Sequence, residues 1–194
     1  CTALNAQYGS LDPSFGSGGK VTLDFNAKND FGFPMEVLPD DRILMAGYVT
    51  INSGIDFGLA RFNPDGSPDN TFGVNGRVSL DVGGFDDMPT DLFVLPDGKF
   101  LVAGTITNAT EADFGLARFN ANGTPDLTFG TNGITVYPLS PQYDVVTSIG
   151  VQSDSKIVLA GKNGEYYPDE DIAPARVNAH GTIDPTFRPH GHLV

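Results

Sequence analysis

One short sequence word recurs along this chain of 194 residues at an almost constant interval. Each copy has a turn glycine and, six residues later, a phenylalanine, and successive copies lie 57, 57 and 58 residues apart. The glycines are Gly9, Gly66, Gly123 and Gly181, and the phenylalanines are Phe15, Phe72, Phe129 and Phe187. A repeat of this length indicates one supersecondary unit copied along the chain, which buries its apolar faces only against its neighbours. We therefore expect Phe72 and Phe129 to be buried wedges.

Each copy also contains four apolar segments separated by turns. In the second copy, residues 92–95 and 100–103 flank Pro-Asp-Gly, a strong hairpin signal because glycine adopts the positive φ of a tight turn. The strand after this turn is apolar at consecutive positions, which predicts that both of its faces are covered. Residues 114–120 and 134–137 supply a third and a fourth strand. Four short strands in a repeat of this length are typical of a β-propeller blade.

The predicted fold is therefore all-β: a β-propeller built from four-stranded blades, with about three complete repeats and an N-terminal half-blade. We predict a single domain over residues 1–194, in which the half-blade covers 1–25 and the repeats cover about 26–82, 83–138 and 139–194. Within the half-blade, alternation and β-branching predict a strand over residues 20–25.

The charge of the chain excludes one class of function. There are 24 acidic and 11 basic residues, which give a formal charge of −13 and a pI near 4.3. Such a chain repels nucleic acids and anionic membranes, and no basic cluster offsets the repulsion. We expect no nucleic-acid partner. No stretch of the sequence is long and apolar enough for a membrane span.

The only cysteine is Cys1, and the chain does not begin with Met. An N-terminal cysteine is typical of a bacterial lipoprotein after removal of its signal peptide, so Cys1 is a candidate for a lipid anchor. The alternatives are an intermolecular disulfide and an arbitrary chain boundary.

The motif Leu11-Asp12-Pro13-Ser14-Phe15-Gly16, together with the Ala-Arg-Phe-Asn-Pro-Asp-Gly word of residues 60–66, resembles the delta-60 repeat. That family occurs in secreted bacterial proteins and is regarded as propeller-like. The resemblance implies a propeller architecture and an extracellular or cell-surface setting, and it implies no catalytic residues. The family usually forms longer arrays, so the resemblance leaves a closed ring from this chain alone in doubt.

The aspartates of the repeated turn are predicted to be structural. They are Asp12, Asp69, Asp126 and Asp184. A residue present in every copy suits a turn better than a single active site, and an aspartate there can accept amide hydrogen bonds as an Asx-turn does. The alternative is Ca²⁺, because Asn63, Asp65 and Asp69 offer oxygen ligands at close spacing.

No catalytic residue and no metal ligand are predicted. The Asp-Phe-Gly words at residues 56–58 and 113–115 lack every other kinase motif, and there is neither a nucleophile elbow nor a Cys-His pair. His190 and His192 would share a face if their segment were a strand, and His180 is the third histidine of the chain. No cysteine or third ligand is placed to complete a metal site with this pair. A polar tail is the favoured interpretation.

Binding residues are predicted on the long connections between strands two and three and between successive units. These connections lie at one end of the blades and differ between repeats, and variable loops on a rigid scaffold commonly carry function. The candidates are three tyrosines and a run of acidic residues: Tyr143, Tyr166, Tyr167, Asp169, Glu170 and Asp171. The tyrosines are the predicted aromatic contacts.

Together these features predict a non-catalytic extracellular or cell-surface module, on the bacterial outer surface, that binds a glycan or protein or assembles with itself. Three blades are fewer than the roughly four to eight that close a ring, so a homo-oligomeric ring or a filament is expected. The alternative to self-assembly is a fragment of a longer array whose other blades complete the ring. The alternative is a carbohydrate-active enzyme or other hydrolase or lyase with carboxylates on the loop face. No cofactor is required, although Ca²⁺ remains an open alternative.

Overall fold

The computed structural model describes residues 9–51, 54–83, 85–141, 143–164 and 170–187. Within these residues the chain is all β and forms three antiparallel sheets. The first contains β1 (Asp30–Val37), β2 (Ile43–Ile51), β3 (Gly54–Phe62) and β4 (Arg77–Leu80), and the second contains β5 (Asp87–Val94), β6 (Phe100–Thr107), β7 (Ala112–Phe119) and β8 (Ile134–Tyr137). The third contains β9 (Asp144–Val151), β10 (Ile157–Asn163) and β11 (Asp171–Val177). Spatial order follows chain order in every sheet.

The three sheets stack face to face. We call the face that a sheet turns toward the preceding unit its leading face, and the opposite face its trailing face. Leu44 and Phe57 on the trailing face of the first sheet pack against Val102 on the leading face of the second. Leu101, on the trailing face of the second sheet, packs against Val146 of the third. The core thus consists of two apolar layers between three sheets, as a propeller-like stack requires.

Strand β6 confirms the prediction of a strand covered on both sides. Phe100 and Val102 belong to the layer against the first sheet, and Leu101 and Ala103 belong to the layer against the third. All four side chains are almost completely buried. The consecutive apolar run follows directly from this position, because a strand between two apolar layers has no polar side.

The hairpin turns are confirmed as well. The residue that needs a left-handed backbone is Asp41 (φ 63°) between β1 and β2, Gly98 (φ 82°) between β5 and β6, and Ser155 (φ 67°) between β9 and β10. In the second unit, the amide of Leu95 donates to the carbonyl of Lys99 at 2.8 Å and closes the turn. The register of each hairpin is fixed by the same turn in all three units.

One expectation about strands needs correction, and one falls outside the described residues. Residues 20–25 do not form a strand; the backbone makes only an isolated bridge between Gly16 and Lys20. A strand requires a hydrogen-bonded neighbour, and the described part of the chain places none beside this segment. The third sheet has three strands within the described residues, which end at Phe187; the segment expected to supply its fourth strand lies outside them, so the complete third repeat stays a prediction.

Candidate functional site

At the end of the blades that carries the short turns, each unit builds the same ion-pair cluster. In the first unit, Asp69 Oδ1 accepts hydrogen bonds from the amide (2.9 Å) and hydroxyl (2.7 Å) of Thr71. Its Oδ2 accepts from Arg61 Nε at 2.7 Å and Arg42 Nη1 at 2.8 Å. Equivalent clusters join Asp126 to Thr128, Arg118 and Lys99, and Asp184 to Thr186, Arg176 and Lys156. The Asx-turn prediction is confirmed, and Asp12 makes the same bond to the Ser14 amide.

In each of these clusters, both carboxylate oxygens of the aspartate accept hydrogen bonds. Burial alone would raise the pKa of Asp69, but the hydrogen bonds from Thr71, Arg42 and Arg61 hold it well below its usual range. Both carboxylate oxygens already have partners, so this turn leaves no free Asp69 oxygen for the Ca²⁺ that the sequence allowed. The turn aspartates therefore serve the fold.

The turn word also joins consecutive units. The Arg61 guanidinium lies 4.6 Å from the centroid of the Phe72 ring and donates through Nη1 to the carbonyl of Ala121 in the next unit. The Phe72 ring is fully buried and lies against Gly123 of that unit, where a Cβ would come within 2.9 Å of the ring. Phe129 makes the same contact with Gly181. Both phenylalanines are thus the buried wedges that the repeat predicts.

A second knob-and-socket contact joins the sheets at their centre. The Phe57 ring, on the trailing face of the first sheet, is fully buried against Gly104, and a Cβ on that glycine would lie 2.5 Å from Phe57 Cζ. Phe114 is buried against Gly161 in the same way, with a distance of 2.8 Å. A glycine on each leading face therefore makes room for an aromatic ring from the preceding unit.

The outer faces carry the two unmatched halves of this contact. Ile172 occupies on β11 the position that Phe57 and Phe114 occupy on β3 and β7, and it is 85% exposed on the trailing face of the third sheet. On the leading face of the first sheet, Gly47 stands where Gly104 and Gly161 stand in the other units. It lines a cavity of about 160 Å³, whose apolar walls include Val21, Leu23, Phe25 and Met45.

The opposite end of the blades, with the variable loops, holds an acidic cluster. One carboxylate oxygen from each of Asp56, Asp81 and Asp87 lies within 4.8 Å of the others. Asp56 is the first buried residue of β3, and Asp87 is the first residue of β5 and is completely buried. Asp81 directly follows β4 and is exposed. Asp87 Oδ2 accepts hydrogen bonds from the amides of Val82 (3.0 Å) and Gly83 (3.2 Å), whereas its Oδ1 is buried without a hydrogen-bond partner.

This environment disfavours negative charge. Burial, together with the neighbouring Asp56 carboxylate, raises the pKa of Asp87 to about 6, against the lowering effect of the backbone amides of Val82, Thr107 and Gly83. Burial is the largest cause that raises the pKa of Asp56, and the negative charges of Asp81 and Asp86 raise it further. Among the described residues, neither Asp56 nor Asp87 forms an ion pair with a lysine or arginine. The two buried carboxylates therefore have no compensating positive charge from the described residues.

A partial copy of the cluster lies between the second and third units. Asp113 is 6% exposed and its Oδ1 has no hydrogen-bond partner, while Asp144 is completely buried. Burial, and then the charges of Glu111 and Asp144, raise the pKa of Asp113 to about 6. Pro138 stands at the position equivalent to Asp81. The copy thus lacks the exposed third carboxylate.

The predicted binding residues lie only partly within the described structure. Tyr143 is 44% exposed at the loop end and forms a backbone bridge with Ala112. Glu170 pairs with Lys162, and Asp171 begins β11. The remaining candidates fall outside the described residues: Tyr166, Tyr167, Asp169 and Cys1, together with His190 and His192. Asp144 and Asp171 flank Asn163 on its two neighbouring strands, so Tyr143 and Asp171 do lie at the same end of the third sheet.

The acidic cluster is not among the sites predicted from the sequence, although the sequence carries a signal for it. Asp30, Asp87 and Asp144 recur at intervals of 57 residues, as do Asp56 and Asp113. Aspartate is depleted in strands, and a buried carboxylate without a cation is costly. Aspartates that recur at strand positions therefore indicate a buried carboxylate site, just as the recurring aspartates of the turns indicate a turn.

Comparison with protein families agrees with this architecture. A family model described as a domain of unknown function (DUF5122) β-propeller matches residues 38–72, 95–129 and 152–187, which together make up more than half of the chain. The chain belongs to this family. Each match begins directly after a unit's first strand and ends at the turn-word phenylalanine. Each DUF5122 match therefore covers the hairpin turn, the second and third strands and the ion-pair turn. A search of curated proteins finds no match. The described residues of this DUF5122 propeller include no helix with the length and apolar character to cross a membrane.

Proposed function

We propose that this DUF5122 propeller is a non-catalytic module that assembles with further copies of itself, head to tail, outside the bacterial cell or at its surface. The observation that carries the proposal is the pair of unmatched contact halves on the outer sheets. Ile172 is an exposed knob on one of them, and the cavity beside Gly47 is an apolar socket on the other.

A second copy fits this pair because the same contact occurs twice within the chain. Phe57 lies against Gly104 and Phe114 lies against Gly161, and each ring is buried by the sheet that follows it. A second chain placed by the same rotation brings its Gly47 to the Ile172 of the first and its Gly66 to Phe187. Its own Phe15 already lies against Gly66, so the N-terminal segment of the second chain has to move aside for this contact. The cavity of about 160 Å³ is comparable with an engineered apolar cavity of about 150 Å³ that accepts benzene, so an aliphatic side chain fits it.

The trailing face of the third sheet supports the same partner. Val158 and Ala160 are half-buried there, whereas their equivalents Leu101 and Ala103 are fully buried by the next sheet. Arg176 lies 4.6 Å from the centroid of the Phe187 ring, as Arg61 and Arg118 lie over theirs. The face thus presents the surface on which a sheet of this type packs. Whether the copies form a ring or a filament depends on whether the rotation between them closes.

Light scattering over a range of protein concentrations tests the proposal. The wild-type chain is expected to associate, Ile172→Asp to weaken association by placing a charge in the contact, and Ile172→Phe to strengthen it by restoring the residue found in the other units. Leu127→Asp is the matched control, because Leu127 is 72% exposed in a turn away from both faces. A chain that stays monomeric at every concentration, or an Ile172→Asp variant that associates like the wild type, contradicts the proposal.

The absence of catalysis is part of this proposal. Glycosidases place two carboxylates about 5–9.5 Å apart on either side of the bond that they cleave. In the acidic cluster, Asp87 is completely buried and Asp56 is 5% exposed, so a polymer cannot reach between them. Turnover of a polysaccharide that is lost in Asp87→Asn would instead favour the hydrolase alternative.

The extracellular setting rests on the resemblance to the delta-60 repeat, with Cys1 as the candidate lipid anchor. Mass spectrometry of the mature protein from the membrane fraction would show the lipid on Cys1, and Cys1→Ser would release the protein. The loop end around Tyr143 is the proposed surface for a glycan or protein ligand, since an exposed tyrosine there offers an amphipathic contact.

A further inference from the structure

We infer that the cluster of Asp56, Asp81 and Asp87 is a Ca²⁺ site that ties the first unit to the second. The three residues come from different segments: Asp56 from β3, Asp81 from the end of the first unit and Asp87 from the first strand of the second unit. A cation held by all three would link the two units at the loop end of the blades, opposite the ion-pair turns.

The geometry of the oxygens suits a single hard cation. One oxygen from each carboxylate lies within 4.8 Å of the others. Ligands on opposite sides of Ca²⁺ are about 4.6–5.2 Å apart, because each Ca–O distance is about 2.3–2.6 Å, so oxygens at this spacing can share one such ion. Three carboxylates supply up to six oxygens, and the exposed Asp81 leaves room for water to complete the shell.

The unpartnered Asp87 Oδ1 atom points independently to a ligand. Asp87 is completely buried, its Oδ2 is held by two backbone amides, and its Oδ1 has no hydrogen-bond partner. A buried carboxylate oxygen without a partner is costly, and a bound cation removes that cost. The two amides meanwhile hold the carboxylate in place, as outer hydrogen bonds do for metal ligands.

The boundary between the second and third units provides an internal comparison. It keeps a buried carboxylate pair in Asp113 and Asp144 but has Pro138 in place of Asp81. The inferred site is therefore confined to the boundary between the first and second units, and one Ca²⁺ binds there per chain.

Isothermal titration calorimetry of the chelator-treated protein with CaCl₂, at pH 7.5 in physiological salt, tests the inference. The wild type is expected to bind one Ca²⁺ per chain and to gain thermal stability with it. Asp87→Asn is expected to lose both effects while staying folded by circular dichroism, because it keeps the shape and removes a desolvated charge. Two controls are expected to retain binding: Asp41→Asn, an exposed turn residue with φ 63° that asparagine also adopts, and Asp113→Asn in the second unit.

The controls separate this site from the general acidity of the chain. Binding at surface carboxylates would weaken alike in Asp41→Asn and Asp87→Asn, and that result would overturn the inference. It would also be overturned by a wild type that binds no Ca²⁺ up to about 10 mM, an order of magnitude above the weakest extracellular Ca²⁺ modules.

Discussion

The Arg118 side chain contacts groups that belong to different parts of the fold. Its Nε atom donates to Asp126 at 2.8 Å in its own turn, and its guanidinium lies 4.5 Å from the centroid of the Phe129 ring. Its Nη1 atom donates to the Ala179 carbonyl of the following unit at 2.6 Å. Only a planar group with several donors can make these contacts at once, which explains an arginine rather than a lysine. One side chain thus fixes a turn and joins it to the next unit.

At the same scale, Phe129→Ala should lower the free energy of unfolding by about 3–5 kcal/mol, because it removes a fully buried ring and leaves a cavity between two units. Urea denaturation followed by circular dichroism measures the loss. Phe85→Ala is the matched control, since Phe85 is 48% exposed in a loop, and its loss should stay below about 1 kcal/mol. Equal losses in the two variants would show that Phe129 is not a contact between units.

Strand β6 is the element on which the stack depends most, because it has paired strands on both edges and apolar layers on both faces. Gly104 has no side chain and leaves a gap on the face of β6 that packs against the first sheet, and the Phe57 ring fills that gap. Close approach of a neighbouring ring and strand therefore explains this glycine, which costs a strand some stability in isolation.

Gly104→Ala should accordingly destabilise the protein by about 1–3 kcal/mol, the usual cost of overpacking. The added Cβ would meet Phe57 Cζ and the carbonyl oxygen of Met88, each at 2.5 Å, and neither the packed ring nor the backbone can yield cheaply. Gly150→Ala in β9 is the matched control: a Cβ there meets nothing within 4 Å, so alanine should be neutral or add up to about 1 kcal/mol. Melting temperatures that change in the same direction would argue against the socket.

At the scale of the whole molecule, the aspartates at the two ends of the blades change the stability in opposite directions as the pH rises. At the turn end, the pKa values of Asp69, Asp126 and Asp184 are lowered, so their contribution to stability is present above the unfolded pKa of about 3.9 and is lost as the pH falls below it. At the loop end, the pKa values of Asp87 and Asp113 are raised to about 6. Their contribution is present below about 3.9 and is lost as the pH rises through 6.

The free energy of unfolding without Ca²⁺ should therefore be highest near about pH 4–5 and fall toward pH 7. The groups that face Asp87 and Asp113 are acidic, namely Asp56, Asp81, Asp86, Glu111 and Asp144, and they act in the same direction. Urea titrations from pH 3 to 8 measure the profile. The double variant Asp87→Asn, Asp113→Asn should flatten the limb above pH 5 and leave the acid limb unchanged. If the double variant keeps the wild-type profile, the fall in the free energy of unfolding above pH 5 comes from general charge repulsion and not from these two aspartates.

The features that the sequence predicts well are those encoded within one repeat. The apolar run at residues 100–103 indicates a doubly covered strand, and Asp126 indicates its own turn, because period and turn chemistry act locally. The acidic cluster escapes such reasoning because Asp56 and Asp87 come together only when two units stack. Residues 20–25 fail for a related reason: their alternation matches a strand, but pairing depends on a neighbour that alternation does not report.

The contact between Phe72 and Gly123 also bears on how such a chain can change in length. Each repeat carries both a ring for its successor and a glycine for its predecessor, so every copy already holds the two complementary halves of the joint. Tandem duplication or loss of one whole repeat therefore creates no mismatched junction. The array can grow or shrink by recombination between copies without compensating substitutions, whereas a shift of even a few residues in the crossover point would separate a ring from its glycine.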